Sequence, residues 1–234
     1  MADNKEIDIA AIFDLPPEKV IEYLEAQGYV ITQNWYDLWE QCQQRAFTIA
    51  GIMNEDILAD AKDIIDKGVS EGKTFNSVKN EFQARMQAKG WNPSVSRLKM
   101  IYRINSDVAY SVGRYQEQES IKDFAPYWQY SAVMDMNTRP AHAAMNGKVF
   151  KADDPIWNYF YPPNGYNCRC TVRSYTQSRL DRKGLTVEDS TGKLEDAEIE
   201  VGGKTFKTKA YEGNKIDAGW AYNPGKDFTK IPKD

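Results

Sequence analysis

Residues 134–173, MDMNTRPAHAAMNGKVFKADDPIWNYFYPPNGYNCRCTVR, constrain the fold of this chain more than any other stretch. They hold the only histidine, His142, and two of the three cysteines, Cys168 and Cys170. They are also dense in Pro, Gly, Asn and aromatic side chains, so neither a helical nor a strand period runs through them. A segment of this composition is either a functional site or a structural clamp, and the flanking segments read as ordinary helix and sheet.

Inside the stretch, Asp135, Arg139 and His142 are spaced four and three apart, with Pro140 limiting where a helix can begin. Asp135 and Arg139 are placed to pair as charges that hold the loop down. Gly147 is expected to supply a positive-φ turn before Lys148-Val149-Phe150. Asp153-Asp154-Pro155 is a turn in which an aspartate can cap the next few residues. Pro162-Pro163-Asn164-Gly165 is a turn signal, and Cys168 and Cys170 open a strand in which alternate residues share a side. Two same-side thiols and a histidine are the donor set Zn²⁺ prefers, with Asp135 or Asp154 available as a fourth ligand. Packed structural cysteines, or a redox or catalytic use, remain open on the same residues. A Cys–His nucleophilic pair lacks any sequence feature that would build an oxyanion site beside it. Gly-rich phosphate loops and metalloprotease helices are absent.

Upstream, the pattern is helical. Pro17-Glu18 opens a short helix that Gly28 ends, and Tyr29-Val30-Ile31-Thr32 is extended. A helix is expected from Asn34 to Ile49, with Cys42 on its apolar stripe as a small core residue. Asn54 caps the next helix, with Ile57, Leu58, Ala61, Ile64, Ile65 and Val69 on one face. Thr74 starts a third, with Phe75, Val78, Phe82 and Met86 inward, and Asn92-Pro93-Ser94 launches the longest, about residues 95–119. Its stripe runs Leu98, Ile101, Asn105, Val108, Val112, Tyr115. Short breaks between these helices predict antiparallel neighbours in a bundle. The long helix also carries Arg103, Asn105, Asp107, Tyr110 and Arg114. This is either a solvated face with an Arg103–Asp107 pair or a polar face that meets the loop-rich stretch.

After Pro126 the period changes from helical to alternating. Strands are expected at 127–134 and 170–176, a short helix at 177–183, and a hairpin around Gly202-Gly203. The class is therefore α+β. An N-terminal helical region, residues 1–122 with a loose arm at 1–14, precedes a small mixed α/β region, residues 123–234, with a loop-rich core motif and a mobile C-terminal tail.

Composition bounds the function. Apolar residues make up 41% and charged residues 27%, which fits a globular chain. A net charge of −4 with no basic tract argues against a dedicated nucleic-acid binder. Three cysteines make no disulfide framework, and the N-terminal apolar run is too short for a secretory or membrane segment. These features predict a soluble intracellular protein. Aromatic residues, 12% of the chain, are favoured both in cores and at protein interfaces.

The motif Asp135…Thr138-Arg139-Pro140-Ala141-His142…Gly147-Lys148-Val149-Phe150…Asp153-Asp154-Pro155…Pro162-Pro163-Asn164-Gly165…Asn167-Cys168-Arg169-Cys170 resembles the phage Mu F-like minor head protein family, the phage head morphogenesis domain. Leu15-Pro16-Pro17-Glu18, Ala46-Phe47-Thr48, Glu71-Gly72-Lys73-Thr74-Phe75, Ile101-Tyr102-Arg103, Asn105, Ala109-Tyr110, Gly113-Arg114 and Asn223-Pro224-Gly225 are similar to family positions too. The resemblance implies a minor capsid protein of a tailed phage or prophage, made in the host cytoplasm and carried in the virion head. Its partners would be the portal protein and other head components, with DNA packaging or ejection and DNA contact inside the head as further roles, and no membrane. It implies no enzymatic core activity, although the domain is sometimes fused to toxin modules. Other branches of the family show C-x-x-C followed later by H-P-x-C-R-C. Here Arg139 and His142 stand at the first pair and Gly165-Tyr166 near the later histidine, so His142, Cys168 and Cys170 are what resembles a structural zinc ligand set. The alternative roles are an enzyme or toxin-associated domain using the Cys/His site, and a DNA-contacting protein.

Overall fold

The computed structural model describes residues 17–29, 46, 47, 49, 52 and 54–228. Most of the expected helix at 34–49, Cys42 on it, and the arm at 1–14 lie outside those residues. The described chain divides into two compact units, with the boundary between Arg114 and Tyr115.

In the first unit, α1 (Pro17–Ala26) is followed by a two-residue strand β1 (Gly28–Tyr29), paired in parallel with β2 (Ala46–Phe47). The helix expected to run to Ile49 therefore does not reach its end. An aromatic residue such as Phe47 suits a ladder better than a helical turn, and here Gly28–Tyr29 supplies the partner strand. Helix α2 (Glu55–Ser70) begins where Asn54 accepts hydrogen bonds from the amides of Asp56 at 2.9 Å and Ile57 at 3.4 Å. Its buried face is the anticipated one with Gly68 added. Gly68 is required by contact, because a Cβ there would sit 2.6 Å from the Tyr102 hydroxyl oxygen. Helix α3 (Phe75–Ala88) buries Phe75, Val78, Phe82 and Met86, and Arg85 ties it to α2 through Asp60 and Asp63, each at 2.6 Å. Helix α4 (Val95–Ser120) buries Leu98, Ile101, Tyr102, Val108 and Val112, and Tyr102 donates to the Lys73 carbonyl at 2.7 Å. The period of three and four thus forms a packed helical core.

The second unit is built on β3 (Tyr127–Ser131), the inner strand of a four-stranded sheet ordered β5-β3-β4-β6. Strands β4 (Val149–Lys151) and β5 (Thr171–Tyr175) pair antiparallel to it, and β6 (Val187–Glu188) pairs in parallel with β4. Between them lie a short helix α5 (Pro140–Met145), a 3₁₀ turn (Pro155–Asn158) and, after β5, helix α6 (Gln177–Lys183). Trp128 and Tyr130 alternate inward and are fully buried. Trp128 meets Tyr115, Trp157 and Tyr161 ring to ring at 5.8–6.0 Å, the range in which edge-on aromatic pairs attract. The hairpin β7 (Leu194–Val201) and β8 (Lys204–Tyr211) turns through Gly202 and Gly203, both at positive φ as a primed two-residue turn requires, and β9 (Asn214–Lys215) completes its sheet.

The segment anticipated as a tail is packed as far as it is described. Ile216, Ala218, Trp220, Tyr222 and Asn223 are buried, and α7 (Pro224–Phe228) comes next. Asn223 donates to the Trp157 carbonyl at 2.7 Å and accepts from the amides of Gly225 and Lys226, each at 3.0 Å, so one amide side chain both anchors the segment and caps the helix. Gly225 lies flat against Tyr115. A Cβ there would be 2.3 Å from Tyr115 Cβ, an atom too close to the backbone to swing away. Gly225→Ala gains up to about 1 kcal/mol of helix propensity but overpacks this contact at a cost of about 1–3 kcal/mol. The urea unfolding midpoint of the variant should fall, and a midpoint equal to or above that of the parent would contradict the contact.

Candidate functional site

His142, Cys168 and Cys170 come together in the second unit. Arg139 is the N-cap of α5 and Pro140 its first residue, where a missing amide hydrogen costs nothing, so the helix starts abruptly and turns His142 and Met145 inward. Asn167, at a φ of 56°, bends the chain just before Cys168, whose amide donates to the Gly165 carbonyl at 3.2 Å. Cys170 stands immediately before β5. The imidazole Nδ1 lies 3.7 Å from Cys168 Sγ and 3.4 Å from Cys170 Sγ. One ligand atom from each of the three residues falls within 4.8 Å of the others, the only such group among the described residues.

His142 and Cys168 are each 5% exposed, while Cys170 is half-buried. Burial pushes the Cys168 thiol well above its ordinary pKa. The Cys170 thiol is lowered, first by its hydrogen bond with Cys168, then by the Tyr130 hydroxyl and the positive charges of Arg169 and Arg139. Tyr130, fully buried, directs its one hydroxyl proton to Asn164 Oδ1 at 3.0 Å, and Asn164 Nδ2 donates to the Tyr159 carbonyl at 3.1 Å. Residues 160–165 are buried throughout, so the segment Pro162-Pro163-Asn164-Gly165 is an internal one. His142 Nε2 is buried without a hydrogen-bond partner.

The charges pair differently from the expectation. Asp135 does not meet Arg139. Arg169 forks onto Asp135 with both terminal nitrogens, at 2.5 and 2.6 Å, and Arg139 instead bonds Asp217 at 3.2 Å and the Tyr166 carbonyl at 2.7 Å. The cysteines, expected to open the strand, precede it, since β5 begins at Thr171; with both turned toward His142, Arg169 between them reaches out to Asp135. The second pair arises because Asp217 arrives from far along the chain, beside Gly165, where a Cβ would clash with its carboxylate. Asp154, the other carboxylate considered for a metal, caps the 3₁₀ turn by accepting from Ile156 N at 2.9 Å, and it also holds Ser190. Among the described residues no carboxylate joins the cluster.

Gly147 takes the expected positive φ, 86°, ahead of β4. Arg103 and Asp107 form their i,i+4 pair at 3.5 Å in the first unit, and burial raises Asp107 to about 7. Asn105 uses its amide on the Ile101 carbonyl of its own helix, at 2.8 Å, and Tyr110 and Arg114 are half-buried further along it. Sequence reading missed Tyr130, Asn164, Arg169 and Asp217. Only Arg169 carried a signal, its position between two like-facing cysteines.

The family described as Phage Mu protein F like protein matches residues 59–173, a span that contains every residue of this cluster and its charge pairs except Asp217. Those residues make up a Mu F-like domain. The chain is 36% identical over 250 aligned positions to the Escherichia phage Mu protein named putative capsid assembly protein F, an alignment covering 95% of this chain and 57% of that protein. The Mu-like prophage FluMu F protein of Haemophilus influenzae is 33% identical over 219 positions, covering 83% of this chain and 53% of the relative. The chain thus spans somewhat over half the length of these relatives. No solved structure matches it.

The Asp135–Arg169 fork makes a testable electrostatic claim. Arg169 holds the Asp135 carboxyl well below the ordinary carboxylate value of about 3.9. Its contribution to stability is therefore present above the unfolded value and is lost as pH falls through the depressed folded one. Side-chain carbonyl NMR should show Asp135 titrating below the ordinary range in the parent and returning to it in Arg169→Ala. An ordinary value in the parent would refute the fork.

Proposed function

We propose that this chain is a structural component in the assembly of the head of a tailed phage or prophage, without catalytic activity of its own. The observation that carries this reading is the likeness to the phage Mu protein named putative capsid assembly protein F, which extends over 95% of the chain. The portal protein and other head components are the partners, the host cytoplasm the place of assembly, and the virion head the destination. No helix among the described residues is long and apolar enough to cross a membrane, which agrees with that route.

The physical character of the cluster supports a structural role. A nucleophilic Cys–His pair needs a thiolate that substrate can reach. Cys168 and His142 are closed off from solvent, each 5% exposed. The loop at 132–138 supports an interaction role. Asp135 anchors it from within, through Arg169, Asn137 N and the Thr138 hydroxyl, while Met134 and Met136 project at 60% and 103% exposure. An apolar pair on a held loop loses little ordering entropy on docking, which favours use as a contact.

The enzyme alternative rests on Cys170 alone, the half-exposed member with the lowered thiol. Rapid alkylation confined to Cys170 in the folded protein, with loss of a measured activity, would favour it. DNA contact inside the head would show as binding with a steep negative salt slope, against the net charge of −4. For the leading reading, the test is incorporation. In the phage or prophage that encodes the chain, it should copurify with heads, and Met134→Ser with Met136→Ser should reduce incorporation without lowering Tm. Heads that assemble and fill normally after disruption of the gene would overturn the reading.

A further inference from the structure

We propose that His142 Nδ1 and the thiolates of Cys168 and Cys170 are the protein ligands of a tetrahedral structural Zn²⁺ site. This stands whether or not the chain works in a phage head, because it rests on geometry alone. Zinc bonds of about 2.3 Å to sulfur and about 2.05 Å to nitrogen, at the tetrahedral angle, place sulfur and nitrogen about 3.6 Å apart. The two observed separations, 3.4 and 3.7 Å, straddle that edge. A hydrogen bond explains them less well. An imidazole nitrogen carries at most one proton, which can point at one sulfur, yet two sulfurs flank it at nearly equal range.

Leaving a buried polar atom without a partner costs free energy, and His142 Nε2 is such an atom on a ring 5% exposed. A metal at Nδ1 would fix the ring and leave Nε2–H as a donor for an ordered water. Ligation also settles the charge: two thiolates, a neutral imidazole and one divalent ion sum to zero, so nothing uncompensated is buried. The two nearby cations do not need the thiolates, since Arg169 is spent on Asp135 and Arg139 on Asp217. Among the described residues no carboxylate stands in the cluster, so the fourth position falls to water on the half-exposed Cys170 side.

Such an ion would tie α5 to the start of β5 across 26 and 28 residues of otherwise irregular chain. It would also fix Arg169 between its two sulfur ligands, and so the Asp135 loop that Arg169 holds.

The experiment uses the full chain purified with neither added metal nor chelator. Elemental analysis should find one zinc per chain. Chelation should remove it, lower Tm by about 5 °C or more, and make Cys168 and Cys170 newly alkylatable by peptide mapping. Refilling with Co²⁺ should give thiolate-to-cobalt charge-transfer absorption and the d–d bands of a four-coordinate ion. Cys170→Ser, close in volume and half-exposed, should keep the far-UV circular dichroism of the parent while losing the charge-transfer intensity in part and the metal on dilution. Three results would overturn the proposal: a metal-free protein whose Co²⁺ mixture shows no charge transfer, a Cys168–Cys170 disulfide in protein kept under reducing conditions, or metal content and cobalt spectrum unchanged in Cys170→Ser.

Discussion

The second unit depends on how a long irregular segment satisfies its buried polar groups. Between β4 and β5 the chain runs some twenty residues with one 3₁₀ turn and no ladder, yet residues 160–165 are buried. Backbone N–H and C=O groups taken out of water must be paired. Here side chains do what a sheet would otherwise do. Asn164 bridges the Tyr130 hydroxyl and the Tyr159 carbonyl, Asp154 holds Ile156 N and Ser190, and Asn223 reaches the Trp157 carbonyl. Tyr130 is the hinge of this arrangement: it belongs to the inner strand of the sheet, and its hydroxyl is spent on the loop. Aromatic side chains supply the apolar bulk, and Asn and Asp supply the internal hydrogen bonds. That is why the segment's composition matches neither a helix nor a strand.

How much of this is legible in the sequence depends on the range of each interaction. Helices α2, α3 and α4 are readable because their buried faces repeat every three or four residues, and the Asn54 cap acts within three. The Gly202-Gly203 hairpin is readable because only glycine accepts two successive positive φ values cheaply. The convergence of His142 with Cys168 and Cys170 can be inferred from strand alternation and residue chemistry. The charge pairs are not readable. Asp135 pairs with Arg169 rather than Arg139, four residues away, because the fork presented by Arg169 is bidentate and Arg139 faces Asp217. Nothing local marks Asp217 or Asn223 as partners of residues fifty or more positions earlier. The β1–β2 ladder, two residues on each side, is too short for any period to announce it.

The same cluster bears on both function and stability. A site meant for chemistry exposes its reactive atom, and this one closes over two of its three donors, leaving a face of Cys170 toward the surface. Its outward product is mechanical: Arg169 leaves the cluster to hold Asp135, and Asp135 shapes the loop that presents Met134 and Met136. In this arrangement the His142–Cys168–Cys170 cluster, the charge fork and the apolar tips form one chain of support from the sheet to the surface.

Native-state amide hydrogen exchange measures that rigidity directly. If side-chain hydrogen bonds and short backbone turns together replace a ladder, the amides of Ile156, Phe160 and Cys168 should exchange nearly as slowly as those of β3, opening with the unit as a whole. Exchange of these three amides orders of magnitude faster than that of the β3 amides would mean that the segment opens on its own. The loop would then be a passenger on the sheet, and the account of it as a clamp would fail.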